Sequence, residues 1–348
     1  MSRPSEVSDS GFTAADVAIV VPVGGGGHGW PRCARALAAL DPRPEQLIVV
    51  VDGPNRAHED IARGTGATVL VLDERGGPAR ARNRGVEAVE VEIVAFVDAD
   101  VVLPPDFAAR VAALLSKPSV AAVIGSYDDD PGDPGFFSQY RNLLHHHVHQ
   151  QACETASTFW SGCGAVRRSA FHEAGGFDES FGEPSIEDIE FGGRLIGAGH
   201  SIRLVRSLQV QHLKRWRLGD MLATDLFRRA IPWTRVMLDD GGLINDLNVK
   251  TSDRLSVAAA CLLPISLAAV FLDPWWGVAI AALLLLTIVL LNRGFFSLLA
   301  RRRGLGFAVA AVPAYWVYLV ICGVGFVIGL AGHVLHGSPG AGARSHPD

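Results

Sequence analysis

Two carboxylates, Asp98 and Asp100, stand one residue apart just beyond the apolar run Ile93–Val97. Packing explains them poorly, because an unpaired charge next to a buried strand is costly. At this spacing they can share a divalent cation, which prefers oxygen ligands and bridges to diphosphate oxygens. The competing reading is a solvated turn at the strand end, closed by Pro104-Pro105. A second acid pair, Glu187-Asp188, precedes a helical stretch, and as an N-terminal cap it needs no chemistry. Gly24–Gly29 (GGGGHG) between a strand and a helix reads either as a phosphate cradle or as a mobile loop. Arg80, Arg82 and Arg84 near the start of the helical run Gly76–Val89 read as phosphate ligands or as a solvated basic face. His145, His146, His147 and His149, with Cys153 nearby, suggest a zinc site. Only His145 and His149 share a helix face, so an acceptor-side or interfacial helix is the stronger reading.

These residues need a scaffold, and the apolar runs supply one. Val17–Val23, Gln46–Val51, Thr68–Leu72 and Ile93–Val97 are short and β-branched. Trp30–Leu40 and Gly76–Val89 separate some of them as helices. That alternation predicts a largely parallel sheet with crossover helices. Asp52 closes the second strand, and the carboxyl ends of parallel strands are where open α/β sheets bind nucleotides. Asp128–Pro134 reads as a loop.

The order Pro22, Asp52, Gly77-x-x-x-Ala81-Arg82-Asn83-x-Gly85 and Asp98-x-Asp100 resembles the nucleotide-binding half of a family 2 glycosyltransferase of the GT-A type. Phe159–Phe171, Gly175-Gly176-Phe177-Asp178, Ser185-Ile186-Glu187-Asp188, the helix Ile189–Ala198 and Gln211–Trp216 resemble its acceptor-side half. The resemblance runs from about Val17 to Trp216. It implies a Rossmann-like GT-A domain acting on a nucleotide-activated sugar with inversion. It also implies roles: Pro22 and Asp52 at the base and ribose, Arg82 and Asn83 at the donor, Asp98 and Asp100 at a Mn2+ or Mg2+ ion. Glu187-Asp188 becomes the catalytic pair, with Asp188 the base. His212 falls near the metal and diphosphate, and Arg215 and Trp216 in a gate that covers the donor or faces the acceptor. The chain departs from the family's usual pattern at Gly24–Gly27 and Val51-Asp52, which leaves the nucleotide open between UDP and GDP. His212 stands where processive synthases carry glutamine, and Gln211 lies one place early, which favours addition of a single sugar.

The 348 residues are 49% hydrophobic, and the apolar excess gathers after about residue 250. Leu255–Leu272, Trp275–Leu291 and Leu305–Leu330 approach or exceed the roughly 20 apolar residues of a span. A re-entrant hairpin remains open for the first two, which Asp273-Pro274 joins. Lys250 and Arg254 precede the first stretch, and Arg293 and Arg301–Arg303 lie in the loop between the second and third. The positive-inside rule makes these segments cytoplasmic and puts the tail after His336 outside. Leu218–Leu238 mixes apolar and basic residues, as an interfacial helix or one packed on the catalytic domain would. The expected division is a disordered tail over 1–15, an α/β GT-A domain over 16–217, an amphipathic segment over 218–250, an all-α membrane domain over 251–336 and a tail over 337–348. Met1–Ala15 is polar, so no signal peptide is expected. Five scattered cysteines suit a reduced, cytosol-facing domain. A net charge of −5 gives no reason to expect nucleic acid.

Together these features predict a multi-pass enzyme of the cytoplasmic membrane with its catalytic domain in the cytosol. Its partners would be a UDP- or GDP-sugar donor and a lipid-linked or amphipathic acceptor. The alternatives are a polyprenyl-phosphate sugar synthase, a processive polysaccharide synthase and a non-catalytic nucleotide-sugar-binding membrane protein.

Overall fold

A computed structural model describes residues 11–25, 28–239 and 250–336. In chain order the first elements are β1 (Val17–Val23), α1 (Trp30–Ala38), β2 (Gln46–Val51), α2 (Arg56–Arg63), β3 (Thr68–Val71), α3 (Gly77–Glu87), β4 (Ile93–Val97) and β5 (Val101–Val102). There follow α4 (Phe107–Leu115), β6 (Ala122–Tyr127), α5 (Phe136–Gln151), β7 (Thr155–Ala156), β8 (Cys163–Arg167), α6 (Arg168–Glu173), α7 (Glu187–Gly197) and β9 (Ile202–His212). The chain ends in α8 (Leu218–Ala223), α9 (Ile231–Asp239), α10 (Thr251–Ala269), α11 (Pro274–Leu291), α12 (Arg293–Arg303) and α13 (Leu305–His336). Two compact units form. One comprises Met1–Ser126, Glu154–Glu183 and Glu187–Gln211, and the other Tyr127–Cys153, Pro184–Ile186 and His212–Asp348.

The first unit is built on a sheet ordered β3-β2-β1-β4-β8-β6-β9-β5, with β7 beside β9. β1 lies parallel between β2 and β4, and β3 is parallel to β2. Every residue of β1 and β4 is buried. Strands covered on both faces read as unbroken apolar runs, which is why these were legible. The order reverses between β1 and β4, and in such sheets ligands bind beyond the carboxyl ends at that point. The sheet is mixed, because β8 runs antiparallel to both β4 and β6. Helix α3 fits closely over β1: a Cβ on Gly85 would come within 2.3 Å of Val20. Gly77 opens the same helix at φ +86°, where a Cβ would meet the Gly182 carbonyl at 2.4 Å. Glycine is the residue that tolerates both demands. A 3-10 turn, Ala14–Asp16, capped by Thr13, overlaps the end of the stretch expected as a tail. Residues 1–10 and the tail over 337–348 lie outside the described residues.

The second unit is helical, with a core that includes Tyr140, Leu143, Trp216, Phe295, Leu299 and Leu319. Arg141 and Asp225 form a buried ion pair within it. The amphipathic segment after Trp216 becomes α8, a π-helical stretch Thr224–Ala230, and α9. Pro232 lies just after the π-helical stretch inside this continuous helical run, where its missing N–H interrupts the regular i→i−4 ladder. The rest of that segment, 240–249, is outside the described residues. The stretch Arg293–Arg303, read as a loop, is instead helix α12, with Phe295, Phe296 and Leu299 buried. Its charge density hid an apolar face. Helices α10, α11 and α13 are long and apolar enough to cross a membrane. Asp273 caps α11 by accepting from the backbone N–H groups of Trp275 and Trp276.

Candidate active site

A cluster of five phenylalanines sets the position of the acids in the first unit. Phe96 of β4 packs edge-on against Phe159 and Phe177 and lies beside Phe171. Phe191 of α7 packs against Phe159, Phe171 and Phe177. Each such pair adds about 0.5–1.5 kcal/mol beyond its area burial. Phe96 lies two residues before Asp98, and Phe191 three after Asp188. The cluster therefore locks the end of β4 to the start of α7.

Arg82 of α3 completes that link. One guanidinium nitrogen donates to Asp98 Oδ1 at 2.8 Å and the other to Glu187 Oε1 at 2.9 Å. The Arg82 and Glu187 side chains are 3% and 5% exposed, whereas that of Asp98 is 34% exposed. Burial works against the Arg82 charge, but Asp98, Glu187 and Asp188 offset it and hold the guanidinium above its ordinary range. The Arg82 Nε is buried without a hydrogen-bond partner. Asp98 is raised by burial, with Arg82 opposing and Asp100 adding to the shift.

Asp188, half-buried, is held differently. Its Oδ2 accepts from the Ser161 N–H at 3.1 Å and the Ser161 hydroxyl at 3.2 Å, and its Oδ1 from the Ile189 N–H at 2.9 Å. Burial, reinforced by the Glu187 charge, raises its carboxyl to about 6. Nearby, burial pushes the Cys163 thiol up to about 12, so it offers no thiolate near neutral pH. Ser161 was not singled out in the sequence. The glycines Gly162 and Gly164 beside it were the available signal of close packing.

Asp52 binds protein backbone: Oδ1 accepts from Gly76 N–H at 2.7 Å and Oδ2 from Gly77 N–H at 3.0 Å. It thereby fixes the turn into α3. Asn83 donates to the Phe177 carbonyl at 2.8 Å and accepts from the Phe177 N–H at 2.9 Å. Pro22 lies in β1 opposite Val50, past the last β1–β4 pair, Val20 with Phe96. His212, Arg215 and Trp216 belong to the second unit. There the His212 Nδ1 is 2.6 Å from Asn142 Oδ1, and its ring stacks on Tyr127 with centroids 4.2 Å apart. Arg215 is exposed, and the Lys214 ammonium lies over the buried Trp216 ring. The consecutive histidines of α5 diverge: His145 Nε2 meets Arg229, and His146 Nδ1 meets the Tyr127 carbonyl.

The sequence profile of glycosyl transferase family 2 matches residues 18–175, from β1 through β8 to the turn after α6. Residues 18–175 belong to that family. A pre-mycofactocin glycosyltransferase of Mycobacterium tuberculosis is 30% identical over 228 residues, which is 63% of this chain and 47% of that protein. The chain thus spans about half the length of the curated relatives it matches. Among solved structures, the mannosyltransferase PcManGT of Pyrobaculum calidifontis, in complex with GDP-Man and Mn2+, is similar with a TM-score of 0.51. It is 18% identical, and the match covers 93% of this chain and 90% of that one. Residues 1–349 of S. aureus TarS in complex with UDP-GlcNAc give 0.50 at 15% identity, covering 88% and 90%. At these identities the likeness is one of fold, and the fold is GT-A.

In this family 2 domain, Asp98 and Asp100 offer oxygen ligands only, and Arg82 takes one oxygen of Asp98. Among the described residues no group of three or more His, Cys, Asp or Glu side chains gathers as a complete metal cage. Two carboxylates are the protein share expected for an ion that keeps water and takes substrate phosphate oxygens. The donor set fits Mn2+ or Mg2+ on those terms.

Proposed function

We propose that this chain is a membrane-anchored, metal-dependent glycosyltransferase that transfers one sugar, with inversion, from a UDP- or GDP-sugar to a lipid-linked or amphipathic acceptor. The observation that carries this reading is the Arg82 bridge, which ties Asp98 beyond β4 to Glu187 at the start of α7. A binding module has no need of a carboxylate tuned like Asp188 alongside a diphosphate-side acid pair.

Displacement at an anomeric carbon requires a deprotonated acceptor hydroxyl and a stabilised diphosphate leaving group. Asp188 takes the hydroxyl proton. Its carboxyl near 6 is ionised at neutral pH yet basic enough for that transfer. Ser161 and the Ile189 N–H fix its orientation. Glu187, turned onto Arg82 and buried, acts as a positioning residue rather than a second base. A divalent ion on Asp98 and Asp100 would neutralise charge developing on the leaving diphosphate. One base and no protein nucleophile give a single inverting step. Asp52 orders the turn into α3 and, with Pro22, lines the carboxyl-end crevice where the nucleotide base is assigned.

In this reading the helices α10, α11 and α13 anchor the enzyme, and the arginines between α11 and α13 support a cytosolic assignment of that side, where nucleotide sugars are available. The test is calorimetric titration with UDP or GDP plus Mn2+. Asp100→Asn should abolish metal-dependent binding with the fold intact, and equal affinity in mutant and wild type would sink the metal role.

A further inference from the structure

The second unit contains a cavity of about 580 Å3 that the proposed reaction does not use. It is bounded by α5, the start of α10, the end of α11, α12 and the middle of α13. Helices α10 and α11 pack together and are joined by the tight Asp273-Pro274 link. The start of one and the end of the other therefore share one end of the hairpin. That end carries the basic residues which the positive-inside rule assigns to the cytoplasmic face.

The wall has two kinds of surface. Lys250, Arg293 and Arg301 supply three cationic side chains against one acid, Asp253. One oxygen of Asp253 already accepts from the Lys250 backbone N–H at 3.1 Å. The adjacent Arg302 and Arg303 are neutralised by Asp129 and Asp130. Arg293 and Arg301 differ: among the described residues neither has a carboxylate partner, and Arg301 donates only to Ser297 on its own helix. Leu144, Val257 and Leu319 supply the apolar part of the wall. Two polar lining residues, Tyr315 and Asn292, are already hydrogen-bonded. Tyr315 donates to Asn292 at 2.7 Å, and Asn292 donates to Ser256 at 2.9 Å.

We infer that this cavity binds an anionic glycerophospholipid, with the phosphate among Lys250, Arg293 and Arg301 and the chains along the apolar wall. Basic pockets between spanning helices on the cytoplasmic side hold anionic head groups for this reason: charge, hydrocarbon and position coincide. A free anion would use the cations and leave the apolar wall wet. A neutral lipid would leave two arginines facing it unpaired. The inference rests on the three helices being membrane-embedded, and it is independent of which sugar is transferred.

The test uses the full chain purified in neutral detergent and offered to vesicles of phosphatidylcholine with or without phosphatidylglycerol. Lipid retained after re-extraction is counted by native mass spectrometry. Wild type should retain phosphatidylglycerol in preference to phosphatidylcholine. Arg293→Gln and Arg301→Gln should each weaken retention about fivefold and the pair about 25-fold, the effect of one surface cation apiece. Lys250→Gln serves if an arginine variant does not fold, and Arg56→Gln, exposed in the first unit, should change nothing. Equal retention of the two lipids, or an unchanged double variant, overturns the inference. So does displacement by millimolar inorganic phosphate, which marks a free-anion site, or tighter binding of a polyprenyl phosphate, which marks the acceptor's place. No flotation with either vesicle overturns membrane anchoring as well. Donor turnover is not read, so failure of the catalytic proposal shows up separately.

Discussion

Replacing Arg82 should open the first unit in a way whose sign can be reversed. The guanidinium joins a nearly inaccessible carboxylate, Glu187, to one a third exposed, Asp98. In Arg82→Met, Asp98 can still reach water, so most of the penalty falls on Glu187. Breaking one side of a buried ion pair costs about 3–5 kcal/mol. Arg82→Lys keeps the charge without the planar fork and can satisfy one acid, so it should cost about 1.5–3 kcal/mol, one charge-assisted hydrogen bond. Glu187→Gln should destabilise the wild type but stabilise Arg82→Met, because it removes the uncompensated charge. The readout is denaturant-dependent thiol labelling of Cys33 and Cys163, both buried in the first unit, resolved by mass spectrometry. Labelling of Arg82→Met at the wild-type rate would show that the bridge does not hold the unit together. So would faster labelling of Arg82→Met on adding Glu187→Gln.

Two further outcomes are expected. Because burial and Glu187 raise the Asp188 carboxyl to about 6, transfer should fall tenfold per pH unit below 6 and level off above it, and Asp188→Asn should erase that limb. The stability contribution has the opposite sign: the folded carboxyl is raised above its ordinary value near 4, so the stability it lends is present below pH 4 and lost as pH rises through 6. A rate profile flat from pH 5 to 8 would remove Asp188 as the titrating base. For topology, reporters fused near Arg302 and after His336 should fall on opposite sides of the membrane. The same side for both would mean that α13 does not span.

What the sequence revealed was what is encoded locally. β1, β2 and β4 are covered on both faces, so their apolar runs stood out, and the acids at their ends followed directly. β9 alternates buried and partly exposed residues between β6 on one side and β5 and β7 on the other, and β5 and β7 are only two residues long. Such strands leave faint signals. The arginines of α3 hold the more useful lesson. Arg80 and Arg84 are four apart and share a helix face, where they meet Glu74 and Glu87 in partly or fully exposed pairs. Arg82, midway between them, points the opposite way into the core. Helical geometry separates it from a solvated basic face, but its two partners, 16 and 105 residues distant, are set by the tertiary fold. The same limit applied to α12, whose buried face becomes visible only once α5 and α13 cover it.

The most direct test of the central claim is single-turnover transfer by wild type and Asp188→Asn, with whichever nucleotide sugar binds in the presence of Mn2+. The mutant should keep near-normal donor affinity and transfer more slowly by about 10²–10⁴, the typical contribution of a positioned general base. Wild-type transfer by Asp188→Asn would contradict the base assignment and favour a lipid-phosphate acceptor, which has no hydroxyl proton to lose near neutral pH. Donor binding by wild type without turnover on any acceptor or water would contradict the claim that the site is catalytic.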